Sequence, residues 1–401
     1  MPLLRLLIIY VVAVVIVASA AIWAIFKFDL LPFQKAASVE TPQSAIRQIT
    51  LKKQETAPRK AQAAAQRQAE GQVPQFSALP AHDITGRSFQ ISPLPLSLPL
   101  DCQPGIDCWV FNFVDADPGK GHADFACGRM SYDNHKGTDI AVSDTGRLFE
   151  MIPIRAAAAG TVLGVRDGME DISIQRIGRA AVKGKECGNG VRIDHGGGWH
   201  TQYCHMKRGS VSVKSGDLVR SGDQIGAVGL SGFTEFPHVH MTVEKSGKVV
   251  DPFVGLSGGD KCEIGRAPLW RRDVLEKLRY LSAIPYHVGF ADQLPKADEI
   301  RAGAFNANTL SATSASLVFW AEIAGLRPDD AISIRFFGPD GALLAKKEEK
   351  INKHRIRIWR AIGKKSKNGW APGAYRGEVT ILRQTPAGPR EARRGARLDV
   401  F

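Results

Sequence analysis

The sequence predicts a mainly β chain: an apolar, membrane-anchoring N-terminal segment, an antiparallel β domain, and a C-terminal immunoglobulin-like β-sandwich. Three observations predict it. From Leu96 onward, short apolar runs are broken by Gly and Asp, a strand-and-turn texture. Two Ser-Gly-Asp turns, at Ser215 and Ser221, suit compact hairpins. The last stretch, about 100 residues, reads as short strands at the spacing of a β-sandwich.

Length and composition bound the organisation. At 401 residues and 44% hydrophobic content, the chain is long enough for two or three domains and too apolar to be wholly disordered. Leu6–Phe26 is an uncharged apolar run flanked by Arg5 and Lys27. At ~1.5 Å per residue it reaches ~32 Å, enough to cross a hydrocarbon core of ~30 Å. Two readings fit: a signal peptide cut at Ala18-Ser19-Ala20, or an uncleaved anchor. The anchor is favoured because Ile22, Trp23, Ile25 and Phe26 continue the run past that point. Both readings export the remainder of the chain.

The cysteines agree with export. Cys102, Cys108, Cys127, Cys187, Cys204 and Cys262 form an even set in an exported region, which reads as disulfides. No Cys-x-x-Cys pair exists, so a zinc ribbon is excluded. The expected organisation is a signal segment or anchor (1–33), a spacer rich in Ala, Gln, Ser and Pro (34–95), and an antiparallel β domain (96–265). After these come a helix and connector (266–300) and the sandwich (301–401). The helix is expected over Pro268–Leu281, where Leu269, Val274, Leu275, Leu278 and Leu281 fall at helical spacings.

Within the sandwich, Ser316–Ile323, Ile332–Phe337 and Arg376–Leu382 read as strands, with a turn at Gly338-Pro339-Asp340-Gly341. The charge concentrates here: residues 301–401 carry 19 Lys and Arg against 9 Asp and Glu, most of the chain's net +13. Alternation places Arg355 and Arg357 on one strand face. That face is either a basic surface for an anionic polymer or lipid, or an ordinary solvated sheet face. A nucleic-acid partner is not expected, because no aromatic-interleaved RNA motif accompanies the charge.

Two clusters carry chemistry. In His238-Val239-His240-Met241-Thr242-Val243-Glu244, strand alternation sets His238, His240, Thr242 and Glu244 on one face. In His135-Lys136-Gly137-Thr138-Asp139, a turn-like stretch enters a strand, so His135 and Asp139 converge through a loop rather than along a helix. Two histidines and one carboxylate form a catalytic zinc set, because three protein ligands leave one tetrahedral position open. Calcium and magnesium prefer oxygen-rich sites and fit poorly.

A third element is a hairpin turning at Gly196–Gly198, with Val191–Asp194 paired to Trp199–Tyr203. Alternation groups Thr201, Tyr203 and His205 on one face and His200, Gln202 and Cys204 on the other. Cys187 and Cys204 fall near each other across it, making them the best disulfide pair. That bond would hold the strand bearing His205.

His135…Asp139, Tyr203-Cys204-His205-Met206 and His238-Val239-His240, in this order and spacing, resemble the lysostaphin-type zinc endopeptidases that cut bacterial peptidoglycan. The resemblance covers about residues 125–255. It implies one zinc ion on His135, Asp139 and His240, with His205 and His238 as the two non-ligand catalytic histidines. It implies a small antiparallel β domain, a peptidoglycan peptide as substrate, and a periplasmic place at the inner membrane, or secretion if the segment is cut. One departure stands out: Thr234-Glu235-Phe236-Pro237 replaces the small, Gly-containing stretch usual before His-x-His, so Phe236 is expected to reshape the cleft wall.

The expected reaction is zinc-assisted hydrolysis of a cross-link peptide bond. No His-Glu-x-x-His exists, so His205 and His238 take the place of a glutamate base. The alternative is a non-cleaving wall-binding or hydrolase-activating regulator. His82, His122, His195, His287 and His354 read as surface or capping residues. Asp133 and Glu244 read equally as orienters of the ligands or as surface carboxylates.

Overall fold

Period-two alternation with one apolar face is the signature that the chain realises, and strands dominate the computed structural model. It describes residues 84, 86–256, 262–281, 283–385 and 388–401, all within one compact unit, Gln68–Phe401. The apolar segment Leu6–Phe26 and His82 lie outside them. Among the described residues, no helix is long and apolar enough to cross a membrane.

The first ten strands are β1 (Cys108–Asn112), β2 (Thr138–Val142), β3 (Pro153–Arg155), β4 (Gly160–Arg166), β5 (Asn189–Asp194), β6 (Trp199–Met206), β7 (Leu218–Val219), β8 (Gln224–Ala227), β9 (His238–Lys245) and β10 (Lys248–Val249). Eight of them form one antiparallel sheet in the order β1-β2-β9-β6-β5-β4-β7, with β10 beside β9; β3 pairs with β8 separately. One face of the central strands is apolar: Ile140, Val191, Ile193, Tyr203, Val239 and Met241 are buried in one core. The opposite face carries the paired Asp139 and His240.

The remaining strands are β11 (Ile284–Ala291), β12 (Thr309–Leu310), β13 (Ser316–Leu326), β14 (Ala331–Phe337), β15 (Leu343–Lys350), β16 (Arg355–Lys365), β17 (Gly373–Thr385) and β18 (Gly388–Val400). They make a three-stranded sheet, β11-β13-β16, and a five-stranded sheet, β12-β18-β17-β14-β15. Leu317, Phe319, Ile323, Ile334, Phe336, Val379 and Ile381 from both sheets share a second core. The other face of the three-stranded sheet meets the first region. There Ile284, Tyr286 and Ala324 join the first core, with Tyr286 edge-on to Trp109 and Phe111.

Three expectations need correction. The helix expected over Pro268–Leu281 is one turn, Arg272–Leu275. Leu96 is the reason: its N–H donates to the Leu269 carbonyl and its carbonyl accepts from Arg271 N–H, holding Leu269–Arg271 extended as a strand partner. The supposed connector contains β11 and a short helix, Ala297–Arg301. The Arg355/Arg357 face is not the solvated one. Ile356 is 89% exposed, whereas Arg357 sits across the ladder from Ala324, on the face that meets the first region.

Candidate metal centre

The site is built by register. Asp139 of β2 lies directly opposite His240 of β9, and Cys204 of β6 lies opposite His240 on the other side. Paired residues share a sheet face, so Asp139 and His240 are set side chain to side chain. His135 enters from the loop before β2. Gly137 lets that loop close, because a Cβ there would stand 2.7 Å from the His240 ring and 2.8 Å from the Met241 carbonyl.

The three donors converge. His135 Nε2 is 3.2 Å from Asp139 Oδ1 and 3.1 Å from His240 Nδ1, and the last two are 2.8 Å apart. Ligands of one tetrahedral zinc ion, each at ~2.0–2.1 Å, stand ~3.3 Å from one another. The set therefore fits a tetrahedral cation with one position open. His205, His238 and His240 form a second, looser group, their donor atoms within 4.8 Å of one another. A third group, Cys102, Asp107 and Cys108, offers no thiolates, because the cysteines are bonded to each other.

Each ring is aimed by a hydrogen bond on its far nitrogen. His135 Nδ1 donates to the Phe113 carbonyl (2.6 Å), His205 Nδ1 to the Ser231 carbonyl (2.8 Å), and His238 Nδ1 to the Phe236 carbonyl (2.9 Å). His240 Nε2 pairs with Thr242 Oγ1 (3.1 Å), leaving Nδ1 as its inward atom. Asn112 Nδ2 donates to Asp139 Oδ2 (2.8 Å), which leaves Oδ1 to face the histidines. Such partners fix tautomer and orientation, as around bound metals.

His205 reaches the site by a route that simple alternation misses. Asn189 pairs with Met206 but Val191 pairs with Tyr203, so Cys204 and His205 together oppose Gly190. This is a β-bulge, with His205 in the left-handed region at φ 62°. The extra residue takes His205 off the face of Tyr203, whose hydroxyl accepts from Ala157 N–H on the core side. It places the His205 ring 4.7 Å from that of His238 and 5.9 Å from that of His240. Two tethers hold the bulge: the Cys187–Cys204 disulfide expected from the hairpin, and a hydrogen bond from His205 N–H to the Cys187 carbonyl. The other cysteines pair as Cys102–Cys108 and Cys127–Cys262.

The electrostatics suit a cation. Burial alone would raise Asp139, but His135 and His238 outweigh it and hold the carboxyl well below its usual range. Burial opposes charge on His135 too, yet the adjacent Asp139 raises it. Burial, with His238 and His240 nearby, pushes His205 well below the ordinary imidazole range, so this ring is a neutral base at pH 7. His135, Asp139 and His238 are nearly inaccessible; the site opens at His240, whose side chain is 16% exposed.

Other residues sort cleanly. Phe236 packs against the first core with its ring 4.6 Å from His238 and 5.6 Å from Phe111. Glu244 pairs with Arg192 (2.7 Å), and Asp133 accepts from Asn134, so neither orients a ligand. His195 bonds the Ala159 carbonyl and Thr201, and His200 lies opposite Glu244, away from the other histidines. His354 is exposed. His287 is the exception to the surface reading: it is 7% exposed, between Asp144 and Glu322. Sequence reasoning missed Asn112, which carries no motif. Only the β1–β2 register sets it opposite Asp139.

Part of the chain is similar in sequence to known proteins. Residues 133–252 match the model of peptidase family M23. The chain is 32% identical over 125 residues to the cell division protein DipM of Caulobacter vibrioides, covering 30% of this chain and 19% of that one. It is 30% identical over 129 residues to an uncharacterized metalloprotease of Haemophilus influenzae, covering 31% and 22%. The chain thus spans about a fifth of the length of these curated relatives. Among solved structures, it is similar to the catalytic domain of the prophage-encoded M23 protein EnpA from Enterococcus faecalis. That match has 23% identity over 40% of this chain and 94% of the other, with a TM-score of 0.26. The strand-borne Asp139 and His240, and His135 beside them, all fall within residues 133–252, the part of the chain that matches the peptidase family M23 model.

Proposed function

We propose that this chain is a zinc-dependent endopeptidase that hydrolyses peptide cross-links of bacterial peptidoglycan during cell-wall remodelling. The observation that carries the reading is the convergence of His135 Nε2, Asp139 Oδ1 and His240 Nδ1 within 3.2 Å of one another, beside the rings of His205 and His238. His135, Asp139 and His240 would hold the single zinc ion. When bound, it supplies Lewis-acid polarisation of the scissile carbonyl and acidifies a water.

The rest is the work of side chains. His205 is kept neutral by burial, and its Nδ1 is committed to Ser231, so Nε2 is the atom that takes a proton from the attacking water. The proton taken up at His205 Nε2 is the one that passes to the leaving amine, while His238, with Nδ1 donating to Phe236, would hold the developing oxyanion through Nε2 in its doubly protonated form. Phe236 and Phe111 close one wall and exclude water from it.

The wider setting is part of the same proposal. The protein is exported, sits in the periplasm at the inner membrane through residues 1–33, and reaches the wall over the 34–95 spacer. Three disulfides support an oxidising compartment. The two C-terminal sheets are read as an immunoglobulin-like sandwich following the 96–265 peptidase domain.

The test is digestion of purified cross-linked peptidoglycan by the full chain, with products identified by mass spectrometry and zinc measured on the same sample. Wild type is expected to bind one zinc and release cleaved cross-links, and His240→Ala to lose both. Cleavage surviving His240→Ala would falsify the ligand set. Zinc binding without any cleavage would favour the regulatory alternative.

A further inference from the structure

Arg357 lies against Phe236, the aromatic neighbour of His238, although it belongs to the C-terminal sheets. On β16 it lies across from Ala324 of β13, on the face that meets the first region. Its guanidinium carbon is 5.7 Å from the centre of the Phe236 ring, and that ring is 4.6 Å from the ring of His238. One aromatic side chain therefore separates this cation from a histidine of the centre. The cation–π contact also restrains a long side chain that would otherwise sample many rotamers.

The environment of Arg357 differs from that of its neighbours. Arg301 bonds Glu322 (2.9 Å), Arg360 bonds Glu349, and Arg383 bonds Asp330. Among the described residues, Arg357 has no hydrogen-bond acceptor and no carboxylate within ion-pair distance. Burial opposes charge on Glu322; His287 does most to hold its carboxyl low, Arg357 adds to this at longer range, and Arg301 donates a hydrogen bond to it. A half-buried guanidinium loses hydration, and here no acceptor in the protein returns it. Its planar fork of donors matches a carboxylate, which it can hold through two parallel bonds.

Building on the peptidase reading of this site, we infer that Arg357 is a substrate-binding residue. It grips a free carboxylate of the wall peptide close to the scissile bond, with Phe236 as the platform between that grip and His238. The C-terminal sheets thus complete the cleft, and part of their positive charge serves specificity.

The experiment uses the full chain and two preparations of cross-linked peptidoglycan, one native and one with its free carboxylates converted to carboxamides. Wild type is expected to cleave the native preparation at least about tenfold faster in kcat/KM, as befits loss of a charge-assisted bidentate contact. Arg357→Gln is expected to bring the native rate down to the amidated rate, abolishing the preference. Arg357→Lys keeps the charge without the fork and should fall between. Zinc content and melting temperature are read on each variant. Should Arg357→Gln fail to fold, the wild-type preference and its reduction in Arg357→Lys still decide. Equal wild-type rates, or a preference that survives substitution of Arg357, overturn the inference and leave the peptidase reading intact. A wild-type chain that cleaves neither preparation removes that reading, and the inference falls with it.

Discussion

The two halves of the molecule bury polar groups in opposite ways. In the C-terminal sheets, buried charges meet partners: Arg383 holds Asp330 with both side chains at most 3% exposed, and Arg301 holds Glu322. On the polar face of the first sheet, Asp139, His135, His238, His205 and His240 are gathered with their inward atoms facing one another. The first arrangement neutralises charge and leaves nothing to react. The second keeps lone pairs convergent, an arrangement that a cation or a proton can complete. Net charge, concentrated in residues 301–401, therefore does not mark where these donors gather.

The contrast is tested most severely at the gathered donors. Asp139→Asn removes the one carboxylate among them; zinc binding and peptidoglycan cleavage are both expected to disappear, measured by metal analysis and product release. His205→Ala should be nearly as damaging to turnover, by ~10²–10⁴-fold, while zinc stays bound. Loss of zinc in that variant would make His205 a ligand.

In the paired half, the expected damage is to stability. Asp330→Ala leaves Arg383 buried beside an empty place and should cost about 3–5 kcal/mol, read from denaturant unfolding. Back in the first sheet, replacing Cys187 and Cys204 by serine releases the bulge; about 3 kcal/mol of stability is expected to go. Turnover should fall in that double variant even where it remains folded, because the His205 tether loosens.

The mildest effect is one of slope. Asp251 has a buried Oδ2 with no hydrogen-bond partner, and desolvation pushes its carboxyl up to about 7. A carboxyl raised in the folded state stays protonated there after the unfolded chain has ionised. Its contribution to stability is thus full below about 4 and is lost as pH rises to about 7. Asp251→Asn should flatten the melting temperature over that window, whereas a carboxylate held low, such as Asp139, gives no slope there and loses its stabilisation only as pH falls below about 4. An unchanged slope in Asp251→Asn would show that this carboxyl is solvated.

Much of this was legible because it depends on local spacing. His135…Asp139 and His238-Val239-His240 lie on or beside strands whose alternation can be read directly, and Cys187 and Cys204 face each other across a hairpin announced by three glycines. The expected helix over Pro268–Leu281 failed because helical spacing of leucines cannot report that Leu96, far away in the chain, holds Leu269–Arg271 extended. Asn112, opposite Asp139, was silent for a related reason: an asparagine on a strand carries no pattern until its register partner is known.

Periodicity over a few residues was enough to set the candidate donor types, the strand faces that carry His238, His240 and Asp139, and one disulfide. Packing and register set the rest. His205 joins the site only because Cys204 and His205 together oppose Gly190, and a single extra residue in a ladder reverses which face a side chain occupies. Arg357 reaches Phe236 only because the three-stranded sheet turns that face toward the first region. Strand alternation says which residues share a face; only the packed neighbour decides what that face meets.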